Sequence, residues 1–199
     1  MKLSNVWGII VFAFLVVSCD GGSSNKGDEL FDQGKYKEAI EEYSRDIESS
    51  SSNIKTVYSR GRAYQELGDL AKAEADFASI VKMDDKNINA KMSLSKLYYE
   101  KELYNKAVIW AEQALDINEN TAQAHFLAAR AKHQLGYVDG AFESYTAAID
   151  LDNNFGEAYL YRGALKIHMG KEKGACSDFN KARALEVKEA PSIIKKYCK

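Results

Sequence analysis

The chain has a single proline, Pro191, so nothing of that kind interrupts a helix anywhere before it. It holds only three cysteines and three histidines in 199 residues. His125, His133 and His168 form no metal-ligand spacing with one another or with the cysteines, so no metal site is expected. Neither sign of charge dominates. The 27 Lys and Arg against 29 Asp and Glu give a formal net charge of −2, and nothing in that balance favours nucleic acid as a partner. No apolar run reaches the length of a bilayer; the run over residues 6–17 has twelve residues. Catalytic motifs are absent as well. Gly170-Lys171-Glu172-Lys173-Gly174 lacks the spacing of a phosphate loop, and no serine sits in a nucleophile elbow. The carboxylates are scattered as they are on solvated helix faces, where paired charges are the ordinary explanation. The expectation is a protein without catalytic, cofactor-binding or metal-binding residues, and not an enzyme.

What the chain does have is a period. Ala39, Ala73, Ala107, Ala141 and Ala175 stand 34 residues apart. Five residues before them come Gly34, Gly68, Gly136 and Gly170, with Glu102 breaking the row. Four residues after come Tyr43, Phe77, Ala111, Tyr145 and Phe179, and twelve before come the small Gly27, Gly61, Ser95, Ala129 and Gly163. A fixed period of this length marks a solenoid, whose function resides on a stacked surface rather than in a catalytic pocket. Each unit reads as two helices of about 12–14 residues joined by a short turn, with glycine free to take the left-handed cap. Small residues let the two axes approach, the aromatic fills the remaining gap, and the units stack because neither helix buries its apolar face alone.

Small, small and aromatic at these offsets resembles the tetratricopeptide repeat. The resemblance implies an all-α, right-handed superhelical solenoid of helix–turn–helix repeats. Five units fall over 28–189, the first of them partial, beginning near 20, 54, 88, 122 and 156, with a capping helix at 190–199. The sequence departs from the family pattern in three places. Asp85, Glu119 and Asn153 replace the proline near the end of each unit. Lys132 and Lys166 replace the tyrosine found at Tyr64 and Tyr98, which predicts looser packing late in the array. The first helix of the first unit is expected to run from near Lys26 to Gln33 and to fray.

The N-terminal segment sets the expected compartment. Val6 to Val17 follow Lys2, with no acidic residue before Asp20, and suit the apolar region of a secretory signal. Val16-Val17-Ser18-Cys19 resembles the lipobox of bacterial lipoproteins, which implies a signal peptide over 1–18, lipid on Cys19 and a flexible tether over 19–27. An uncleaved anchor or a plain secretory signal is the alternative. Removal of Lys2 would leave 26 basic against 29 acidic residues, a net charge of −3. Asp20 resembles the inner-membrane retention signal of enterobacteria, which other lineages read differently, so both membranes stay open. The expected location is the bacterial cell envelope, with the repeats in the periplasm or at the cell surface and a membrane held through the lipid.

Of the other cysteines, Cys176 lies early in the last repeat helix and Cys198 ends a tail in which Pro191 fits the first turn of a short helix. If that helix folds back antiparallel, the lengths from Cys176 to Leu185 and from Ala190 to Cys198, about 13.5 and 12 Å, return the sulfurs to one level. A disulfide is one outcome; one buried and one exposed thiol is the other.

In the family the first helix of each unit lines the inner groove through its second, fifth, ninth and twelfth residues. Carried over, the fifth-residue row is Tyr58, Met92, Phe126 and Leu160, and the ninth is Arg62, Lys96, Arg130 and Ala164. The twelfth is Gln65, Tyr99, His133 and Ile167; the second is Lys55, Asn89, Gln123 and Glu157. The candidate partner-binding residues are Tyr58, Arg62, Met92, Lys96, Tyr99, Phe126, Arg130 and His133, an apolar strip beside a ladder of three cations. They predict a protein or peptide segment carrying acidic side chains or a free carboxylate. The alternative is that these cations merely solvate a helix face. The Lys/Asn clamp by which some family members grip C-terminal carboxylates is not matched, since Tyr58 and Arg62 stand in its first two places. The expected role is a non-catalytic protein-interaction scaffold. A regulatory adaptor of a cell-wall enzyme or sensor, and an enzyme with a cryptic site, are the rival readings.

Overall fold

The computed structural model describes residues 24–49 and 53–198. The apolar run over 6–17 and Cys19 lie outside the described residues. Among the described residues there are eleven helices and no strand. They are α1 (Ser24–Asp32), α2 (Tyr36–Ser49), α3 (Ile54–Glu66), α4 (Leu70–Met83), α5 (Ile88–Glu100), α6 (Tyr104–Leu115), α7 (Ala122–Gln134), α8 (Val138–Leu151), α9 (Gly156–His168), α10 (Glu172–Ala184) and α11 (Ala190–Tyr197). None is long and apolar enough to cross a membrane.

The helices pair in chain order, α1 with α2 through α9 with α10, and each pair packs on the next, so the chain is a superhelical solenoid. The rows of small residues explain the pairing. All five alanines of the 34-residue period are fully buried, and Tyr43, Phe77, Tyr145 and Phe179 lie beside them with at most 1% exposure. At Gly163 a Cβ atom would stand 2.6 Å from the Phe179 ring, so that helix crossing requires glycine. Side chains of Asn53, Asp69 and Asn87 accept backbone N–H groups at the starts of α3, α4 and α5, satisfying donors that the helices leave open. The turn within each unit places its glycine at positive φ, and Glu102 adopts the same left-handed conformation at φ 58°. The missing glycine of the third unit changed the residue but not the backbone.

Three expectations need correction. Ser24 to Gly27, expected in a flexible tether, already belong to α1. That helix is held by an ion pair between Lys26 and Glu42 and by Tyr43, whose hydroxyl donates to Asp28 at 2.7 Å. Lys132 and Lys166 do not loosen the late units. Lys132 reaches Glu112 at 3.0 Å and Lys166 reaches Asp178 at 2.8 Å. Their stems lie 3.6 and 3.5 Å from the Cβ positions of Gly140 and Gly174. In the earlier units the matching pairs are Tyr64 with Lys72 and Tyr98 with Lys106, each lysine over the ring at 5.2 and 5.1 Å. The lysine thus changes helix between the early and late units while the gap stays filled. Third, the later half of the fifth-residue row is interior, as detailed below.

At the C-terminus, α11 packs on α10 and buries Ala190, with Ile193 and Ile194 against the last core cluster. A disulfide joins Cys176 of α10 to Cys198, with Cα atoms 5.7 Å apart.

Candidate functional site

Successive first helices come closer to one another than successive second helices do, α5 with α7 most of all, so the first helices form the inner wall. Hydrogen bonds between residues 35 apart stitch that wall together. Ser93 donates to the Tyr58 hydroxyl at 3.1 Å, Gln65 to Glu100 at 2.9 Å, and Gln134 to the Tyr99 hydroxyl at 3.1 Å. One period plus one residue is the step from a position on one first helix to the nearest turn of the next.

The predicted apolar strip is interior in its later half and only half-buried in its earlier half. Phe126 and Leu160 are only 6% and 7% exposed. Phe126 packs against Tyr145 of its own second helix and against Phe155 and Tyr161 of the next unit. Met92 is half-buried against Ala111, Leu127 and Ala128, filling space that the missing aromatic at Ala111 leaves. Tyr58 is half-buried and tilts against Phe77 at 5.5 Å. The fifth residue of a first helix leans toward the aromatic row of the second, which makes Phe126 and Leu160 core and leaves Tyr58 and Met92 partly exposed.

The cations separate into different environments. Arg62 is exposed, with its guanidinium 4.8 Å from the Phe31 ring centre, over a cavity of about 300 Å³ bordered by Asp28, Asp32 and Tyr43. Lys96 is exposed and stands 3.9 Å from Glu100, one turn along its own helix. Arg130 is half-buried in a box of rings: its guanidinium carbon lies 4.2 Å from the centre of Tyr99, 5.2 Å from Tyr161 and 5.8 Å from Phe126. Among the described residues it makes no ion pair, and its Nε is buried without a hydrogen-bond partner.

A second unsatisfied group lies in the same cluster. Tyr145 is fully buried and stacks on Tyr161 at 6.3 Å, and its hydroxyl has no partner among the described residues. Burial pushes that hydroxyl well above the ordinary tyrosine range, with the Arg130 charge opposing. His133 meets Tyr145 edge-on at 6.2 Å and His168 of the next unit at 6.1 Å. Burial, and then the neighbouring His168, lower the pKa of His133. The result is a ring-lined cationic cluster with two buried donors, Arg130 Nε and the Tyr145 hydroxyl, that have no hydrogen-bond partner among the described residues. Among the described residues no carboxylate is paired with this guanidinium. Tyr145 and Tyr161 were missed from the sequence because neither falls in a groove row; the stacking that brings them to Arg130 joins two units.

The order of the predicted residues along the wall is Tyr58 and Arg62 on α3, then Met92, Lys96 and Tyr99 on α5, then Phe126, Arg130 and His133 on α7. Only Tyr99, Phe126, Arg130 and His133 share one cluster with Tyr145. Among the described residues no three or more His, Cys, Asp or Glu are grouped to hold a metal ion.

Known proteins agree with this architecture. Family models described as TPR repeat or tetratricopeptide repeat match residues 27–68, 58–120 and 122–155. The human DnaJ homolog subfamily C member 7 is 30% identical over 172 residues, which is 82% of this chain and 34% of that protein. The chain therefore spans about a third of the length of the curated relatives it matches. Among solved structures, MamA from Desulfovibrio magneticus RS-1 superposes with a TM-score of 0.73 at 20% identity, covering 82% of this chain and 93% of that one. YrrB, described as a TPR protein with an unusual peptide-binding site, gives 0.66 at 19% identity, covering 87% and 90%. At such identities the likeness establishes the fold.

Proposed function

The chain is built of tetratricopeptide repeats, and from that premise we propose that it is a non-catalytic scaffold whose inner wall seats a protein segment by an acidic side chain or free carboxylate on Arg130. Repeats of this family generally serve as protein-interaction modules, and YrrB supports a peptide as the kind of ligand. The observation that carries the reading is the unpaired guanidinium. Arg60 and Arg162 each clamp a carboxylate of their own chain, whereas Arg130 has rings on three sides and no anion. The rings hold the guanidinium in place, so little side-chain freedom is lost when a carboxylate arrives.

The location we propose is the bacterial cell envelope, with the chain tethered through lipid on Cys19. The Val6–Val17 run, the Val16-Val17-Ser18-Cys19 sequence and the Cys176–Cys198 disulfide all support it, since disulfides persist in oxidising compartments. Cys19→Ala should abolish incorporation of a labelled fatty acid and release the chain from membranes; unchanged labelling would dismiss the anchor.

Crosslinking pull-down of the full chain from its own membranes tests the scaffold, with Arg130→Glu and Arg130→Met as comparisons. Arg130→Glu should lose the partner while Arg130→Met retains helicity and loses most of the capture. Capture unchanged by charge reversal would dismiss Arg130 as the seat. A cell-wall hydrolase or sensor among the specific partners would identify the adaptor form of this scaffold.

A further inference from the structure

We infer that the groove ends in a second, oppositely charged subsite: the cavity between α9 and the cap takes an apolar side chain flanked by lysine or arginine, from the same partner segment whose carboxylate sits on Arg130. The inference rests on the proposed function and adds the chemistry of the neighbouring position.

The cavity has a volume of about 640 Å³, within the range of ligand-sized sites. Its floor is apolar: Leu160, Tyr161 and Ala164 of α9, Val187 of the connecting loop and Ile193 of α11. Its rim is acidic. Glu157, Glu186 and Glu189 are exposed and make no ion pair among the described residues, against Lys188 as the one cation of the lining. Ala164 continues the ninth-residue row of Arg62, Lys96 and Arg130 along the inner wall, so the cavity lies on the path of the groove. Tyr161 joins the two subsites. It lines this cavity and also stands 5.2 Å from the Arg130 guanidinium.

The walls are fixed by close packing and a covalent tie. Gly156 lets the loop approach α9, since a Cβ there would stand 2.5 Å from Val187. Glu186 turns the chain at φ 61°, and the disulfide ties the end of α11 back to α10. A floor that is aliphatic apart from the Tyr161 ring favours an apolar side chain, while three carboxylates at its mouth without an ion pair among the described residues favour a basic neighbour. Charge complementarity therefore selects a peptide that is acidic at one point and apolar and basic at the next.

The test is selection of a random peptide library on the full chain with the disulfide intact, on Arg130→Glu and on the doubly substituted Glu157→Lys/Glu189→Lys. The wild-type chain should select a carboxylate close to an apolar residue flanked by lysine or arginine. A synthetic peptide of that kind should bind the double variant about tenfold more weakly. The same peptide with its basic residues made neutral should bind both proteins alike. Selection of acidic segments with no apolar–basic neighbour would overturn the cavity and leave the Arg130 seat standing. Apolar–basic segments without an acid, bound equally by Arg130→Glu, would sustain the cavity and remove the seat. A dimer in solution that Ile193→Asp dissociates would place a second copy in the cavity and overturn the proposal.

Discussion

Two kinds of arginine occupy this solenoid, and the contrast between the helix-pair seam and the inner wall separates what holds the fold from what is left for a partner. At the seam, Arg60 donates through Nε and Nη2 to both oxygens of Asp76 at 2.9 and 2.7 Å, and reaches Ser44 of the preceding unit. Three periods later Arg162 repeats the arrangement with Asp178 at 2.9 and 2.9 Å, and reaches Thr146. The third and fourth units hold Leu94 with Trp110 and Ala128 with Ser144 at these positions, without an ion pair of this kind. On the wall, Arg130 has aromatic faces and, among the described residues, no carboxylate partner. A guanidinium matched within the chain is committed to joining helices. One that is ordered but unmatched can spend its charge on another molecule.

The sharpest way to break the comparison is to orphan a seam arginine. Asp178→Ala leaves the largely enclosed Arg162, and Lys166 with it, without their shared carboxylate and should cost about 3–5 kcal/mol in denaturant unfolding. Arg130→Met should cost less than about 1 kcal/mol, because its buried Nε has no bond to lose. Equal losses would erase the distinction between seam and wall.

Next in size is the staple that closes the acidic end of the wall. Cys176→Ser with Cys198→Ser opens a loop of 22 residues' separation. Chain entropy puts the loss at about 3 kcal/mol. It should appear as faster amide exchange across α11, while exchange around Arg60 and Asp76 stays unchanged.

A smaller effect, of opposite sign, is expected in the third unit, one of the two whose seam lacks such an ion pair. Glu102 holds a left-handed backbone at φ 58°, so Glu102→Gly should raise stability by about 1 kcal/mol by relieving the Cβ contact. A decrease on thermal melting would show that the glutamate side chain contributes more than its backbone costs.

The smallest effect concerns pH at the wall. His133 has a folded pKa below its ordinary 6.5, through burial first and His168 second. The unfolded chain therefore takes up this proton before the folded one does. Stability is full above about 6.5 and is lost as the pH falls from there through the lowered folded value. His133→Gln should flatten that part of the stability profile, while Asp76 and Arg60 variants should not.

Much of the architecture was legible in the residues. The alanine row, the glycine turns and the aromatic row recur because every helix pair faces the same packing demand, and repetition makes a weak local signal strong. Two readings failed for one reason. The fifth-residue row was assigned to the surface at Phe126 and Leu160, and Lys132 and Lys166 were read as looseness. In each case the partner lies on another helix: Tyr145 and Tyr161 for Phe126, Glu112 for Lys132, and Asp178 for Lys166. The compensating exchange of Tyr64 and Lys72 for Lys132 and Gly140 was present in the sequence as two rows eight residues apart. It became meaningful only when the rows were seen to touch.

The sequence alone determined the period, the helix pairs and their stacking, since these follow from spacing along one chain and from which side chains are small enough to be enclosed. Only the tertiary structure decided which charges are already neutralised. An ion pair forms or fails over a few ångströms between helices that are sixteen or more residues apart, and no periodicity encodes that distance. By that measure Arg60 and Arg162 belong to the fold, whereas Arg130 has rings around it and no ion-pair partner among the described residues.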